Sequence, residues 1–342
     1  MNKLLILSML IVSFFNLNGS SQENASSFEN SDKAEQSYNF STTDKIRKAR
    51  IGFLKRWHVF GGDTKHFLLW DSEWEEEDLK IRFDQIMKER FSVYFTNPEN
   101  FEKKGFFIKW KKAYEKPANW KSWYSRYPYP LALQYNLASP KYNASIITLR
   151  NLYFLAMEAP CEKNLNTFYQ ILSQYKVTDL IRLTPAHYIG REASFPYWES
   201  NLNIHSVNGT LVLEMDGLEI NYFPTDCWKN HEGIEAEKLL ALVKAVKYST
   251  ITDSKMIAVH CRAGIGRTGT FLVAYILLHD IDEQIANGID IDNLKISIDK
   301  IIWELSLQRP FSVTHTPQYI TLHQFVSCYI NSLKSNRTFN PK

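Results

Sequence analysis

The sequence predicts an α/β fold, and two observations support this. A short apolar strand pattern, KMIAVH, is followed at once by a glycine-punctuated loop and then by an apolar helix pattern, FLVAYILLH. Upstream, further strand patterns alternate with a helical one. The chain has 342 residues, of which 44% are hydrophobic and 23% charged. This composition excludes disorder throughout and a fibrous repeat, and the length allows two domains or one large domain with extensions.

Charge and cysteine content narrow the possible partners. The net charge of +3 is too small to argue by itself for nucleic acid or an anionic membrane surface. The four cysteines are too few and too scattered for a disulfide framework or a zinc module with paired CxxC spacing. We therefore expect no nucleic-acid partner, no metal and no other cofactor.

The N-terminus has the layout of a secretory signal peptide over residues 1–21. One lysine precedes an apolar run from Leu4 to Leu17, and small and polar residues follow. The run is shorter than the roughly 20 residues that cross a bilayer as a helix, so an uncleaved anchor is the weaker alternative. We expect an exported chain, periplasmic or secreted, without stable membrane insertion. Residues 22–45, rich in Ser, Asn and Glu, predict a disordered linker.

The next part of the chain predicts an N-terminal helical extension over residues 46–99. Helical spacing is clearest over residues 71–95, where Asp71 or Ser72 is expected to cap the helix. Basic and aromatic residues also alternate over 45–125. This alternation favours helices with rings facing a core over a surface for single-stranded nucleic acid.

Strand signals dominate the middle of the chain. NLNIHSV and TLVLEMDG flank Asn208-Gly209, which predicts a type I′ hairpin. LEINYF predicts a further strand over 218–223, and residues 234–249 predict a helix with one broad apolar face. The KMIAVH strand over 255–260 follows and leads into the glycine-punctuated loop.

That loop, HCRAGIGRTGT, has the properties of a phosphate cradle. Between Cys261 and Arg267 lie five residues whose successive N–H groups can surround one tetrahedral anion: Arg262, Ala263, Gly264, Ile265 and Gly266. The two glycines permit the backbone angles and the close approach that such a cradle needs. The helix that starts near Arg267 adds the positive end of its dipole.

The chemistry predicted for this loop is nucleophilic catalysis on a phosphate. The positive field should lower the pKa of Cys261 and make it a nucleophile, and the planar fork of Arg267 can hold two phosphate oxygens. Thr268 places a hydroxyl where it can stabilise the departing thiolate, and His260 is expected to order the loop. The alternative is a buried cysteine with a purely structural role before an ordinary turn. The full HCxxGxxRT pattern between strand and helix favours catalysis.

The HCxxGxxR[ST] pattern resembles the signature of the cysteine-dependent protein tyrosine phosphatase superfamily. Similar segments follow the order of its tyrosine-specific branch over roughly 100–332: KYNASIIT, VTDLIRLTPA, PYW and RPFSVTHTPQYITLHQFV. The resemblance implies a mixed, twisted central sheet flanked by helices, in a single catalytic domain over 100–335 with a tail at 336–342. It also implies a phosphocysteine intermediate.

The same resemblance implies a general acid on a mobile loop that contains WPD. The matching stretch here is YFPTDCW, which makes Asp226 the expected acid, with Glu232 and Glu235 as alternatives. Phe replaces the Trp of the motif, and a Thr separates Pro from Asp. Loop closure and the timing of protonation are therefore expected to differ from the family pattern.

Other family positions are matched less closely. Gln318 aligns with the second Gln of the VQTxxQYxF segment, while Thr314 replaces the first, which usually positions the hydrolytic water. Hydrolysis of the phosphocysteine is accordingly expected to be slow. Tyr127, in SRY, resembles the tyrosine that stacks on the substrate, and Glu192 resembles the acidic residue that braces Arg267.

Three functions remain open from the sequence. The first is an exported protein tyrosine phosphatase acting on a phosphotyrosine protein or another phosphate monoester. The second is a phosphatase for inositol polyphosphates or phosphoinositides, to which Arg262 would add positive charge. The third is a catalytically impaired phosphotyrosine-binding module, favoured by the altered acid loop and by Thr314.

The other cysteines carry weaker expectations. Cys227 adjoins Asp226, so a reversible disulfide with Cys261 is a hypothesis for redox control. Cys161 and Cys328 are expected to be buried packing residues.

Overall fold

The computed structural model describes residues 69–94, 136–188, 190–199, 203–207, 209–215, 217–249 and 255–339. These residues belong to one compact unit, Lys48–Lys342. The predicted signal peptide, the linker and Tyr127 lie outside the described residues. Among the described residues, no helix combines the length and the apolar character that crossing a membrane requires.

The described ranges contain six α-helices and ten strands. The helices are α1 Glu76–Tyr94, α2 Leu165–Gln174, α3 Ala236–Lys247, α4 Gly266–Ala286, α5 Ile298–Ser306 and α6 Thr316–Phe339. The strands are β1 Leu137–Ser139, β2 Tyr142–Leu149, β3 Leu152–Glu158, β4 Asp179–Arg182, β5 His187–Tyr188, β6 Arg191–Glu192, β7 Asn203–Val207, β8 Thr210–Met215, β9 Leu218–Pro224 and β10 Met256–Cys261. Helix α6 thus continues into the residues predicted as a tail.

Eight strands form one mixed sheet in the order β1-β2-β3-β10-β4-β9-β8-β7. The central strands β3, β10, β4 and β9 run parallel. The outer strands pair antiparallel on both sides. Helices pack against this sheet, so the predicted α/β fold with a mixed central sheet flanked by helices is confirmed. The predicted hairpin is confirmed as β7–β8, with Gly209 at φ +82°.

Strand β10 lies at the centre of the sheet because its side chains are apolar on both faces. Ile257 and Val259 pack into one hydrophobic cluster, and Ala258 packs into the other. A continuous apolar run is typical of a parallel strand that is covered on both faces. The carboxyl end of β10 leads directly into the HCRAGIGRTGT loop, at the edge where parallel sheets usually bind ligands.

Helix α4 continues from this loop and is buried over its first thirteen residues, Gly266 to Leu278. It contacts α3, α5 and α6, as expected for a helix that is apolar on all sides. The loop is therefore held between a central strand and a central helix. Both supports are among the most buried elements described.

The N-terminal helix differs from the sequence prediction at its start. Helix α1 begins at Glu76, and the predicted cap at Asp71 or Ser72 is wrong. Asp71 Oδ1 instead accepts a hydrogen bond from the Glu73 amide at 3.0 Å, which forms a turn before the helix. Leu79 and Phe83 of α1 are buried in the same cluster as β10 and α4. This part of the predicted extension thus shares the core of the sheet domain.

Candidate active site

The loop after β10 curls tightly around the sulfur of Cys261. The Gly264 amide donates a hydrogen bond to Cys261 Sγ at 3.3 Å, and the cysteine side chain is almost fully buried. Gly264 has φ +69°, and a Cβ there would lie 2.0 Å from the carbonyl oxygen of Met157 in β3. Only glycine fits this position, because both the backbone conformation and the space exclude a side chain.

Arg267 lies in the first turn of α4 and is 3% exposed. Its Nη1 donates to the Trp228 carbonyl at 2.8 Å, and its Nη2 donates to Asn230 Oδ1 at 3.4 Å. Both partners belong to the segment after β9, which contains the predicted acid. The guanidinium is therefore fixed by that segment from one side, beside the cysteine.

The electrostatics of the loop favour a thiolate. Burial alone would raise the pKa of the Cys261 thiol, but the charge of Arg267, the nearby donor groups of Thr268 and the hydrogen bond from the Gly264 amide outweigh it. The net effect lowers the pKa of Cys261 below its ordinary value. A deprotonated sulfur is the form that attacks phosphorus.

Arg309 braces the loop from outside and was not singled out by the sequence. This fully buried arginine donates from Nε to the Gly264 carbonyl at 2.9 Å and from Nη2 to the Ala263 carbonyl at 3.2 Å. Its Nη1 also donates to Asn143 and Ser145 in β2, at 3.0 and 3.1 Å. Because the loop carbonyls are bound outside, the loop amides are free to face inward.

His260 has the structural surroundings expected of a residue that orders the loop. It is fully buried, and its Nε2 lies 2.8 Å from the hydroxyl of Tyr197. Its carbonyl accepts a hydrogen bond from the Leu183 amide at 2.9 Å. The ring thus anchors β10 to its neighbours just before the cysteine.

Thr314 and Gln318 lie against the first residue of α4. A Cβ on Gly266 would lie 2.6 Å from Thr314 Oγ1 and 3.0 Å from Gln318 Nε2. Gln318 is buried, and its Oε1 accepts from the Thr314 amide at 3.0 Å. Both side chains therefore border the phosphate loop, at the position where glycine leaves room for them.

The expected acid, Asp226, lies two residues after the end of β9 and is bound by an arginine. Arg182 donates to both of its carboxylate oxygens, with an Nη2–Oδ2 distance of 3.2 Å. The Arg182 guanidinium also lies 3.8 Å over the Trp198 ring, and its Nε donates to the Tyr222 hydroxyl at 2.6 Å. The side chain of Asp226 remains 59% exposed. In this conformation the carboxylate is held beside the carboxyl end of β4.

The alternative carboxylates lie on the surface. Glu232 is 3.8 Å from Lys229, and Glu235 is 2.8 Å from Lys238, both within exposed pairs. Glu192 is also exposed, on the β5–β6 hairpin. The hydrogen bonds described for the loop arginine go to Trp228 and Asn230, and the expectation that Glu192 braces it stays a prediction.

Four further residues from the sequence analysis have mixed outcomes. Arg262 is half-buried, and its Nε is shielded from solvent without a hydrogen-bond partner. Cys161 and Cys328 are only half-buried, but Cys328 packs against the hydrophobic cluster around α4, as expected of a packing residue. Cys227 is an exposed free thiol.

One group of potential metal ligands occurs among the described residues, and it lies far along α4 from the loop. His279, Asp280 and Glu283 bring their ligand atoms within 4.8 Å of one another. Asp280 already pairs with Arg150 at 3.2 Å.

The part of the chain that contains the loop is similar to known proteins. Residues 213–328 match the family model described as protein-tyrosine phosphatase. Receptor-type tyrosine-protein phosphatase V of Rattus norvegicus is 29% identical over 206 residues, which are 52% of this chain and 11% of that protein. Phosphatidylinositol phosphatase PTPRQ of Homo sapiens is 25% identical over 205 residues, which are 54% of this chain and 8% of that protein. The chain spans only a small fraction of the length of these relatives.

Proposed function

Because the chain belongs to the protein tyrosine phosphatase superfamily, we propose that it is an exported phosphatase acting on phosphate monoesters, phosphotyrosine in proteins first among them. The observation that supports this best is the loop itself. A cysteine with a lowered pKa and a buried arginine lie together in a glycine-containing turn at the carboxyl end of a central strand. This arrangement supplies a nucleophile and an oxyanion site at one place.

In the first step the Cys261 thiolate attacks phosphorus, and a P–S bond forms as the ester P–O bond breaks. Arg267 and the loop amides stabilise the charge on the phosphoryl oxygens. Asp226 gives its proton to the leaving oxygen. For this role the ion pair with Arg182 must open, because it occupies both carboxylate oxygens. In the second step water hydrolyses the phosphocysteine and regenerates the thiolate.

Substitution of the nucleophile tests the central claim. Cys261→Ser should abolish release of phosphate from a phosphotyrosine peptide while the protein still binds that peptide. Cys227→Ser is the matched control, because this thiol is exposed and is assigned no step in the reaction. Retained turnover in Cys261→Ser would refute the mechanism.

The general acid is tested separately. Asp226→Ala should lower kcat by about 10²–10⁴ for substrates with poor leaving groups. Glu235→Ala, on the same segment, should change little. An unchanged rate in Asp226→Ala would assign the proton to another group.

Two observations favour a second substrate class. Arg262 directly follows the nucleophile, and its shielded Nε lacks a partner. The human relative's name also describes a phosphatidylinositol phosphatase. Comparing phosphate release from a phosphotyrosine peptide, inositol polyphosphates and phosphoinositide vesicles distinguishes the two classes. Tight peptide binding without release would instead establish the binding-module alternative, which Thr314 and the bound state of Asp226 favour.

Export rests on the N-terminal sequence alone. It predicts that the mature chain starts near residue 22 and is found outside the cytoplasm. N-terminal sequencing of protein from the fractionated native cell tests this expectation, and an intact N-terminus in the cytoplasmic fraction would refute it.

A further inference from the structure

The turn that precedes helix α6 contains two residues with a strained backbone. Phe311 has φ +64° and Val313 has φ +61°, in the left-handed region that residues other than glycine rarely adopt. The strain is greatest for a β-branched residue such as valine. Both side chains are fully buried. Such conformations persist where surrounding contacts enforce them, and they occur often at functional sites. We refer to residues 311–313 as the strained turn.

The strained turn binds the phosphate loop near its end. The Val313 amide donates to the Ile265 carbonyl at 3.3 Å. A Cβ on Gly269 would lie 2.6 Å from the Val313 nitrogen and 2.8 Å from Ser312 Cα, so the turn also lies directly against α4. The peptide bond after Ile265 is trans, and in a trans peptide the carbonyl and the next N–H point in opposite directions. Because the Ile265 carbonyl faces the turn, the Gly266 amide points away from it, toward the inside of the loop.

Helix α1 reaches the strained turn through one buried arginine. Arg90 is 2% exposed, and its Nη1 donates to the Val313 carbonyl at 3.3 Å. Its Nη2 donates to the Ser312 carbonyl. These carbonyls belong to consecutive residues, and the planar fork of one guanidinium binds both. Arg90 therefore fixes the orientation of two neighbouring peptide groups in the strained turn.

Two arginines thus hold the outside of the phosphate loop at different places. Arg309 binds the Ala263 and Gly264 carbonyls directly, as described above. Arg90 acts one step further away, on the turn that binds the Ile265 carbonyl. Removing the Arg90 guanidinium would take this donor from two buried carbonyls and would release a contact that opposes the backbone strain. The turn could then relax away from the loop.

We propose that Arg90 is a positioning residue for phosphate binding. It keeps the strained turn in the conformation that holds the Ile265 carbonyl, and it thereby keeps the Gly266 amide directed at the phosphoryl oxygens. Arg90 acts through the turn and is assigned no contact with substrate. This inference rests on the proposed function, and it gives the N-terminal helix a part in that function.

A second arginine of α1 provides a matched control. Arg82 donates from Nε to Asp299 Oδ2 in α5 at 2.7 Å and from Nη1 to Gln85 Oε1 within α1 at 3.3 Å. Asp299 is buried, so both arginines join α1 to the rest of the domain through a buried acceptor. These partners of Arg82 lie outside the strained turn. If Arg90 only anchored α1, substitution of either arginine would have the same consequences.

Calorimetric titration with tungstate, a tetrahedral oxyanion, measures binding at the loop without turnover. Arg90→Met should raise the Kd for tungstate by about 10-fold or more, because the Gly266 amide is no longer directed at the anion. The kcat/KM for p-nitrophenyl phosphate should fall by about 10². Arg82→Met should stay within about twofold of the wild type in both measurements, since it acts at an independent site. All proteins are compared at a temperature where circular dichroism shows them folded, and urea unfolding reports how much stability each substitution costs.

Substitution by lysine keeps the proposal testable if Arg90→Met does not fold. Lysine retains the charge but lacks the planar fork that binds two carbonyls. Arg90→Lys should therefore weaken tungstate binding more than Arg82→Lys does. The pH midpoint for alkylation of Cys261 separates a local change from collapse of the whole loop. Arg309 still holds Gly264, whose amide donates to the sulfur, so the Arg90 variants should keep the wild-type midpoint.

Three results would overturn the proposal. The first is wild-type affinity for tungstate in the Arg90 variants, and the second is an equal loss of affinity in the Arg82 variants. The third is a shift of the Cys261 alkylation midpoint together with the affinity. A wild-type protein that releases no phosphate would instead refute the proposed function, while the tungstate comparison would still decide the role of Arg90.

Discussion

Replacing Gly264 with alanine tests whether the phosphate loop is held by its close approach to β3. Placing an alanine at φ +69° costs about 1–2 kcal/mol of stability, because its backbone must adopt the left-handed conformation. Its Cβ would also lie 2.0 Å from the Met157 carbonyl oxygen and 2.7 Å from the Glu158 amide nitrogen, both backbone atoms. Overpacking of this kind costs about 1–3 kcal/mol. The free energy of unfolding should therefore fall by about 2–5 kcal/mol.

Gly209→Ala is the matched control, since Gly209 has φ +82° but nothing within 4 Å of the added Cβ. It should lose only the backbone contribution of about 1–2 kcal/mol. Urea unfolding of the two variants and the wild type measures both losses. Equal losses would show that contact with β3 does not constrain the loop.

The same pair of variants should separate stability from catalysis. The Gly264 amide donates to Cys261, and its carbonyl accepts from Arg309. Displacing this residue misplaces amides that face the phosphate, so kcat/KM should fall by about 10² or more. Gly209→Ala should keep wild-type kcat/KM at a temperature where it is folded. Wild-type activity in Gly264→Ala would refute the requirement for this loop geometry.

Three further predictions concern buried charges and titration. Arg309→Met should lower the free energy of unfolding by at least about 3 kcal/mol in urea, because four acceptors, three of them in buried hydrogen bonds, lose their donor. A smaller loss would contradict its bracing role. His323 is buried, and burial lowers its pKa to about 4. Below about pH 6.5 the unfolded chain therefore binds a proton at this histidine that the folded chain does not bind. The stability that His323 contributes is present above pH 6.5 and is lost as the pH falls toward 4. Between pH 7 and 5 the free energy of unfolding of the wild type should therefore fall by about 2 kcal/mol more than that of His323→Phe. Equal losses in the two proteins would refute this prediction. Finally, alkylation of Cys261, followed by peptide mapping, should have its pH midpoint below 9.0, and Arg267→Met should raise that midpoint; no change would remove the arginine from the cause of the shift.

The fold could be predicted from the sequence wherever an element is specified by a local pattern of residues. The hairpin at Asn208-Gly209 and the strand before Cys261 follow from turn chemistry and apolar runs. The start of α1 was missed, because an Asx turn at Asp71 and a helix cap need the same residue types. Sequence alone does not show which backbone amide the carboxylate will accept from.

Much of the candidate site could be predicted from the sequence for the same reason. Cys261 and Arg267 are separated by a short loop, so the chain itself brings them together. Asp226 was placed beside β9 by its motif, but its binding to Arg182 depends on the register of β4 and β9. That contact decides whether the carboxylate is free, and no local pattern encodes it.

By itself, the sequence determined the cradle: a cysteine, an arginine and the glycines that let consecutive amides converge on one anion. Convergence of this kind depends only on the backbone angles of a few neighbouring residues. The tertiary structure alone decided what surrounds the cradle, namely the brace from Arg309 and the binding of the strained turn by Arg90. These contacts join distant parts of the chain, so they exist only once the sheet and its helices have packed.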